Sequence, residues 1–347
     1  MRTKSLSQTQ CHVDVELFTV DLSDSCRTEQ FLRHPSSYYW RAWLVKKVTH
    51  MLARLSIVHA TTIQLNSLCG STAAVIQEVL PMPFFKFRDL QLHYVDAADC
   101  GDSCGVPVVF VHGAGSSHAI WTLQIQHFAP ERRVIALDLS GHGQSDSAEG
   151  EADIVDDYAQ EIGALLDHLD LDRFVLVGHS MGGGAVMAYL LSQPVRRPVA
   201  VALVDTSPDL DLSKIAPGLV IEAVESYFFL IKKRMTDKES PAYKIWKEEE
   251  DRKREHPETV RRDLRACDRF DIADRVGDID LPVFVIHGDD DDIIPLGVAE
   301  ELVRRLPRAD IAIVRGSDHC PMVQQPEEFN RLLGKFLDWV DRKFGPH

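Results

Sequence analysis

The sequence predicts an α/β domain in which a mostly parallel central sheet is flanked by helices and carries a small helical insertion. Two observations lead there. Short, nearly unbroken apolar runs recur at 106–111 (VPVVFV), 134–137 (VIAL), 174–177 (FVLV), 199–204 (VAVALV), 283–286 (VFVI) and 311–314 (IAIV), as strands buried on both faces do. Tyr158, Ile162, Leu165, Leu166 and Leu169 repeat at the spacing of an amphipathic helix, as do Phe329, Leu332, Leu333, Phe336, Leu337 and Val340. Strand and helix therefore alternate, and in such sheets chemistry belongs in loops at the carboxyl ends of the strands.

Taken in order, residues 1–81 read as an N-terminal extension, disordered or partly helical. The segment is polar as far as Ser37, after which Trp40, Leu44, Val48, Met51 and Leu55 fall on one helical face. It lacks the basic start and adjoining apolar stretch of a signal peptide, and Arg54, His59, Gln64 and Asn66 interrupt any membrane span. From Phe84, FFKF, the polar pair Arg88-Asp89 and LQLHYV alternate as a half-buried hairpin does, giving an antiparallel edge. The sheet domain then comprises 82–208 and 268–347. Residues 209–267, which the sheet does not need, are expected to form a helical cap, with an apolar face that includes Leu219, Val224 and Phe228. Lys247 through Glu255 (KEEEDRKRE) read as a solvated helix face.

Composition excludes several classes. The 347 residues are 45% hydrophobic and 26% charged, enough for a real core. The 53 acidic residues outnumber 38 basic ones, so the surface repels nucleic acid and anionic lipid. Seven scattered cysteines do not read as a secreted disulfide framework, and a reducing cytoplasmic setting is expected. Cys100 and Cys104 form C-x-x-x-C without a second cysteine or histidine pair to complete a zinc site, and neither metal nor cofactor is expected.

The chemistry-bearing motifs fall at strand ends. FVLV is followed by Gly178-His179-Ser180-Met181-Gly182 and then by good helix formers, which puts Ser180 on a strand-to-helix turn. Glycine is needed on both sides because the sharp turn leaves no room for a β-carbon, and the helix behind presents free N–H groups to a developing oxyanion. Four aspartates, Asp289 to Asp292, follow the 283–286 run, and His319 follows the next, giving the order Ser, Asp, His. A hydroxyl needs a base to become a nucleophile, and an imidazole oriented by a carboxylate supplies one. One of the four aspartates is the candidate acid, and Asp205, ending another strand, is its rival. The His112-Gly113-Ala114-Gly115 loop offers the Ala114 N–H as a partner for that of Met181 in an oxyanion hole. His118, Trp121, His142 and Phe228 are candidate pocket residues. His112 and His179 read as structural occupants of their turns, and Cys320 as a packing thiol.

Over roughly residues 82–347 the sequence resembles the α/β-hydrolase family, in its single-domain serine ester-hydrolase branch. The HGAG loop, the stretch DLSGHGQSD from Asp138, the GHSMG elbow, HGDDDDIIP and DHCPMVQQPEEF carry the resemblance. It implies the α/β-hydrolase fold, Ser180 as nucleophile, His319 as general base, Asp291 as acid, and Ala114 with Met181 as the oxyanion hole. The implied activity is cofactor-free cleavage of a small or medium acyl ester or thioester. Carbon–carbon bond hydrolysis, lactone opening and perhydrolase or haloperoxidase-like chemistry are alternatives, as is a ligand-binding or signalling module with little turnover. The expected partner is a small acyl substrate. Two positions depart from the pattern: Asp318 replaces a glycine before the histidine, and Ser140 stands where proline is common.

Overall fold

A computed structural model of the chain describes residues 83–100, 104–147, 150–211 and 237–345. The extension expected over 1–81 lies outside these residues, as do Phe228 and the apolar face around it.

The sheet begins with the hairpin β1 (Phe84–Phe87) and β2 (Leu90–Ala97). It continues through β3 (Gly105–Val111), β4 (Arg132–Leu137), β5 (Val175–His179), β6 (Ala200–Val204), β7 (Val283–Gly288) and β8 (Ala309–Val314). Its order is β1-β2-β4-β3-β5-β6-β7-β8. β1 pairs antiparallel with β2, and β2 with β4; the remaining neighbours are parallel, so the apolar runs form the buried parallel part and the alternating hairpin its edge. Val108, Val109, Phe110 and Val111 are all fully buried, which requires cover on both faces.

That cover comes from α1 (Thr122–Phe128), α2 (Ala159–His168), α3 (Met181–Leu191), α6 (Leu296–Arg305) and α8 (Pro326–Phe344). The buried residues of α8, Phe329, Leu333, Phe336, Leu337 and Val340, lie along one face, and the helix packs on β3, β7 and β8. α2 continues a π-helical turn over Ile154–Tyr158 that the periodicity did not reveal. α7 (Pro321–Gln324) is a single turn before α8.

Between β6 and β7 the described residues form α4 (Pro241–Glu255) and α5 (Pro257–Asp268). The charged run in α4 is not a uniformly solvated face. Glu249 and Glu250 are buried, because Ser116 and Ser117 donate hydroxyl hydrogen bonds to Glu249 at 2.7 and 2.8 Å and Arg254 reaches Glu250 at 2.6 Å. Cys100 and Cys104, the C-x-x-x-C pair of the sequence, form a disulfide. Among the described residues no helix is long and apolar enough to cross a membrane.

Candidate active site

Parallel pairing brings the carboxyl ends of β3 to β8 to one edge of the sheet, so the motif-bearing loops converge there. Ser180 lies between β5 and α3 at φ 52° and ψ −122°, a backbone conformation that costs a non-glycine residue energy and lifts its side chain out of the sheet. The flanking glycines are required sterically. A β-carbon at 178 would sit 2.6 Å from the Gly182 carbonyl oxygen, and one at 182 would collide with the His112 carbonyl. Thr206 secures the turn by donating its hydroxyl to the Ser180 carbonyl at 2.7 Å.

His319 Nε2 stands 2.9 Å from Ser180 Oγ, and its Nδ1 stands 2.7 Å from Asp291 Oδ2. A carboxylate accepts only, so Nδ1 carries the proton and Nε2 is left to accept from the serine hydroxyl. Asp291 is buried, and its Oδ1 accepts the Ile293 and Ile294 N–H groups at 2.9 and 3.0 Å. Its neighbours Asp289, Asp290 and Asp292 face outward.

Asp205 is adjacent but engaged elsewhere. Its Oδ1 accepts the Gly288 N–H at 2.9 Å and lies 3.3 Å from His287 Nδ1. Complete burial, then the nearby Asp291 charge, push its pKa well above the usual carboxylate range. Geometry therefore separates the rivals: Asp291 touches His319 and Asp205 touches the backbone of β7.

The HGAG loop runs beside the serine. A β-carbon on Gly113 would lie 3.0 Å from Ser180 Cβ, which puts Ala114 on the same edge as the N-terminus of α3, where Met181 opens the helix and its first N–H groups have no intrahelical partner. His112 is a strut here: Nδ1 donates to the Gly113 carbonyl at 2.8 Å and Nε2 accepts the Leu139 N–H at 3.1 Å. Burial, reinforced by the His142 charge, lowers its pKa to about 3. His179 donates from Nε2 to the His319 carbonyl at 2.7 Å, and burial, then the nearby His319, hold its pKa well below normal. Cys320 is buried, which raises its thiol pKa well above normal.

Of the candidate pocket residues, Trp121 is fully buried against Phe110 and Phe329, and His118 Nδ1 contacts Asp138 at 2.8 Å. A cleft of ≈ 620 Å³ opens between the loops at 115–116 and 141–147 and the helices α4 and α5; it includes His142 but not Ser180. Among the described residues two trios have metal-ligand composition, His93/His118/Asp138 and Asp205/His287/Asp291. Neither presents a free donor set. Asp138 accepts from both histidines and from the His118 and Gln144 N–H groups, while His287 donates Nε2 to the Ile294 carbonyl.

The residues that sequence reasoning missed lie across the loops. Asp263, on α5, accepts the Gly115 N–H at 2.7 Å, the His142 Nε2–H at 2.7 Å and the Tyr158 hydroxyl at 2.6 Å. Ser140 donates its N–H to Glu161 at 2.9 Å, a bond that the more common proline could not make.

A strained serine at a strand-to-helix turn, a histidine on its hydroxyl and a buried aspartate on that histidine lie together at one edge of an α/β sheet, an arrangement compatible with nucleophilic catalysis by the serine. Residues 108–332 match the alpha/beta hydrolase family, and the chain belongs to it. A non-heme chloroperoxidase of Streptomyces lividans is 30% identical over 268 residues, 69% of this chain and 94% of its own. A 2-hydroxy-6-oxononadienedioate/2-hydroxy-6-oxononatrienedioate hydrolase of Paraburkholderia xenovorans is 27% identical over 289 residues, 77% and 99%. The solved structure of a thermophilic esterase is similar at a TM-score of 0.61, with 26% identity, over 74% of this chain and 97% of its own.

Proposed function

We propose that the protein is a serine hydrolase that cleaves a small or medium acyl ester or thioester through an acyl-enzyme intermediate. The observation that carries this reading is the continuous chain from Asp291 through His319 to Ser180 Oγ, at 2.7 and 2.9 Å. His319 takes the Ser180 proton as Oγ attacks the acyl carbonyl, and Asp291 holds the imidazole in the required tautomer and stabilises the imidazolium. The tetrahedral oxyanion is received by the Ala114 and Met181 N–H groups. Collapse expels the alcohol or thiol, which takes the proton from His319, and water repeats the sequence to release the acid. The insertion that carries α4 and α5 serves as a cap that sets substrate size.

Intact-mass analysis after fluorophosphonate treatment tests this reading, with hydrolysis of short and medium nitrophenyl esters followed alongside. One adduct on wild type is expected, lost together with turnover in Ser180→Ala and His319→Ala. Well-folded wild type with neither adduct nor turnover overturns the mechanism and favours a ligand-binding role.

A further inference from the structure

The polar cluster around Asp263 joins the β6–β7 insertion to the loops after β3 and β4. Asp263 is fully buried on α5, and its three hydrogen-bond partners belong to the sheet domain: Gly115 after β3, His142 after β4 and Tyr158 at the start of α2. Arg262, its neighbour on the same helix, donates to the Ser140 carbonyl at 2.5 Å and to the Tyr158 hydroxyl at 3.1 Å. The charge state of His142 follows from geometry. Nδ1 faces the Ser140 carbonyl at 3.0 Å and Nε2 faces the Asp263 carboxylate, so both nitrogens face acceptors and both carry protons. Burial pulls the His142 pKa down, but the Asp263 charge and hydrogen bond outweigh it and hold it above the ordinary value. A buried ion pair of this kind adds little net stability, yet losing one partner is costly, which suits it to fixing geometry.

The Gly115 contact matters most for chemistry. Gly115 sits at φ 60°, where a side chain would be strained and would meet Val260 of α5. Its N–H belongs to the Ala114–Gly115 peptide, so a bond to Asp263 fixes one side of Ala114. We propose that Asp263 is a positioning residue for acyl transfer: its carboxylate, carried on the insertion, holds the Ala114–Gly115 peptide so that the Ala114 N–H is aimed at the oxyanion formed above Ser180. This inference rests on the serine-hydrolase reading. It makes oxyanion stabilisation depend on where α5 sits.

The test compares Asp263→Ala, Asp263→Ser and Asp263→Asn with wild type on nitrophenyl butyrate, with inhibition by an alkyl trifluoromethyl ketone, whose adduct carries an oxyanion, measured in parallel. Alanine and serine cannot span the gap to Gly115, and kcat is expected to fall about 10–100-fold, with KM changing less than about threefold. Ketone affinity falls by the same factor as kcat/KM. Asparagine, whose amide oxygen still accepts the Gly115 N–H, restores kcat to within about fivefold of wild type. Asp341→Ala serves as the control for destabilisation alone. That residue binds the Val106 N–H at the start of β3 and Arg132 at the start of β4, and its loss is expected to lower Tm without changing kcat. Wild type provides a readout independent of any variant: in 15N-glycine-labelled protein the Gly115 amide is expected to exchange with D2O at least about 100-fold slower than an open amide.

Unchanged kcat in the alanine or serine variant, an effect confined to KM, an equal kcat loss in Asp341→Ala, or an unprotected Gly115 amide would each overturn the proposal. The underlying reading fails separately, through absence of a Ser180-dependent fluorophosphonate adduct on wild type.

Discussion

The two sides of Ser180 are held by different means. On the proton-transfer side the partners come from loops after neighbouring strands: His319 and Asp291 are 28 residues apart, and Asp291 is fixed by N–H groups two and three residues further on. On the other side the loop after β3, which carries the proposed oxyanion donor Ala114, is gripped across 148 residues by Asp263, which also reaches His142 across 121. One side is assembled by short loops on a rigid sheet, and the other depends on a helix of the insertion. A shift of α5 would leave the Asp291–His319–Ser180 chain intact while releasing Gly115. Under the proposal above, the position of α5 and the orientation of the Ala114–Gly115 peptide are thereby linked through one carboxylate.

The sharpest way to break this contrast is to change each of the two buried aspartates behind His319. Asp291→Asn is expected to lower kcat about 10³–10⁴-fold, because an amide in that place favours the wrong imidazole tautomer. Asp205→Asn is expected to keep kcat within about threefold of wild type, since an amide keeps the contacts of the site: its oxygen accepts the Gly288 N–H and its NH₂ donates toward Asp291. Steady-state kinetics on a nitrophenyl ester read both. Exchanged losses would assign the acid's role to Asp205 and end the claim that the proton-transfer side is set by the β7 loop alone.

The same contrast explains what could be read from the sequence. The strand runs and the hairpin are found where the apolar pattern put them, and Ser180, Asp291 and His319 come together because each is announced by a motif confined to a few residues after a strand. Asp263 has no such announcement. It lies in a charged helix, RRDLRACD, where a carboxylate reads as solvent-facing, and its meaning arises only when Gly115, His142 and Tyr158 arrive from elsewhere in the chain. Glu249 reads as solvated for the same reason, since two of its donors are serines more than 130 positions away. Local motifs encode the proton relay, whereas tertiary partners decide which charges are buried.

The oxyanion side also contains a pair that sharpens the comparison through pH. His112 and His142 have ring centres 4.8 Å apart and both are buried, yet their partners impose opposite charge states. His112 meets one donor and one acceptor and is neutral, with its pKa lowered to about 3, whereas His142 meets two acceptors and is held above its ordinary value. For His112 the folded pKa lies below the unfolded one, so its contribution to stability is complete above about pH 6.5 and lost as pH falls toward 3. For His142 the sign is reversed: its contribution is complete below about pH 6.5 and lost as pH rises through its raised value. Between about pH 6 and pH 4, His112 therefore adds a slope of about 1.4 kcal/mol per pH unit to acid destabilisation, and His142 opposes none of it. The groups acting on His112 are His142, which lowers its pKa, and Asp138 and Asp263, which raise it. His179 and His287, also lowered by burial, add slopes of their own. Urea unfolding of wild type and His112→Gln at pH 6, 5 and 4 isolates the His112 share, because glutamine keeps a donor and an acceptor without a titrating group. The variant's stability is expected to fall less steeply by about 1.4 kcal/mol per unit; parallel slopes would mean that His112 is protonated in the folded protein, and the neutral strut between the loops after β3 and β4 would have to be abandoned.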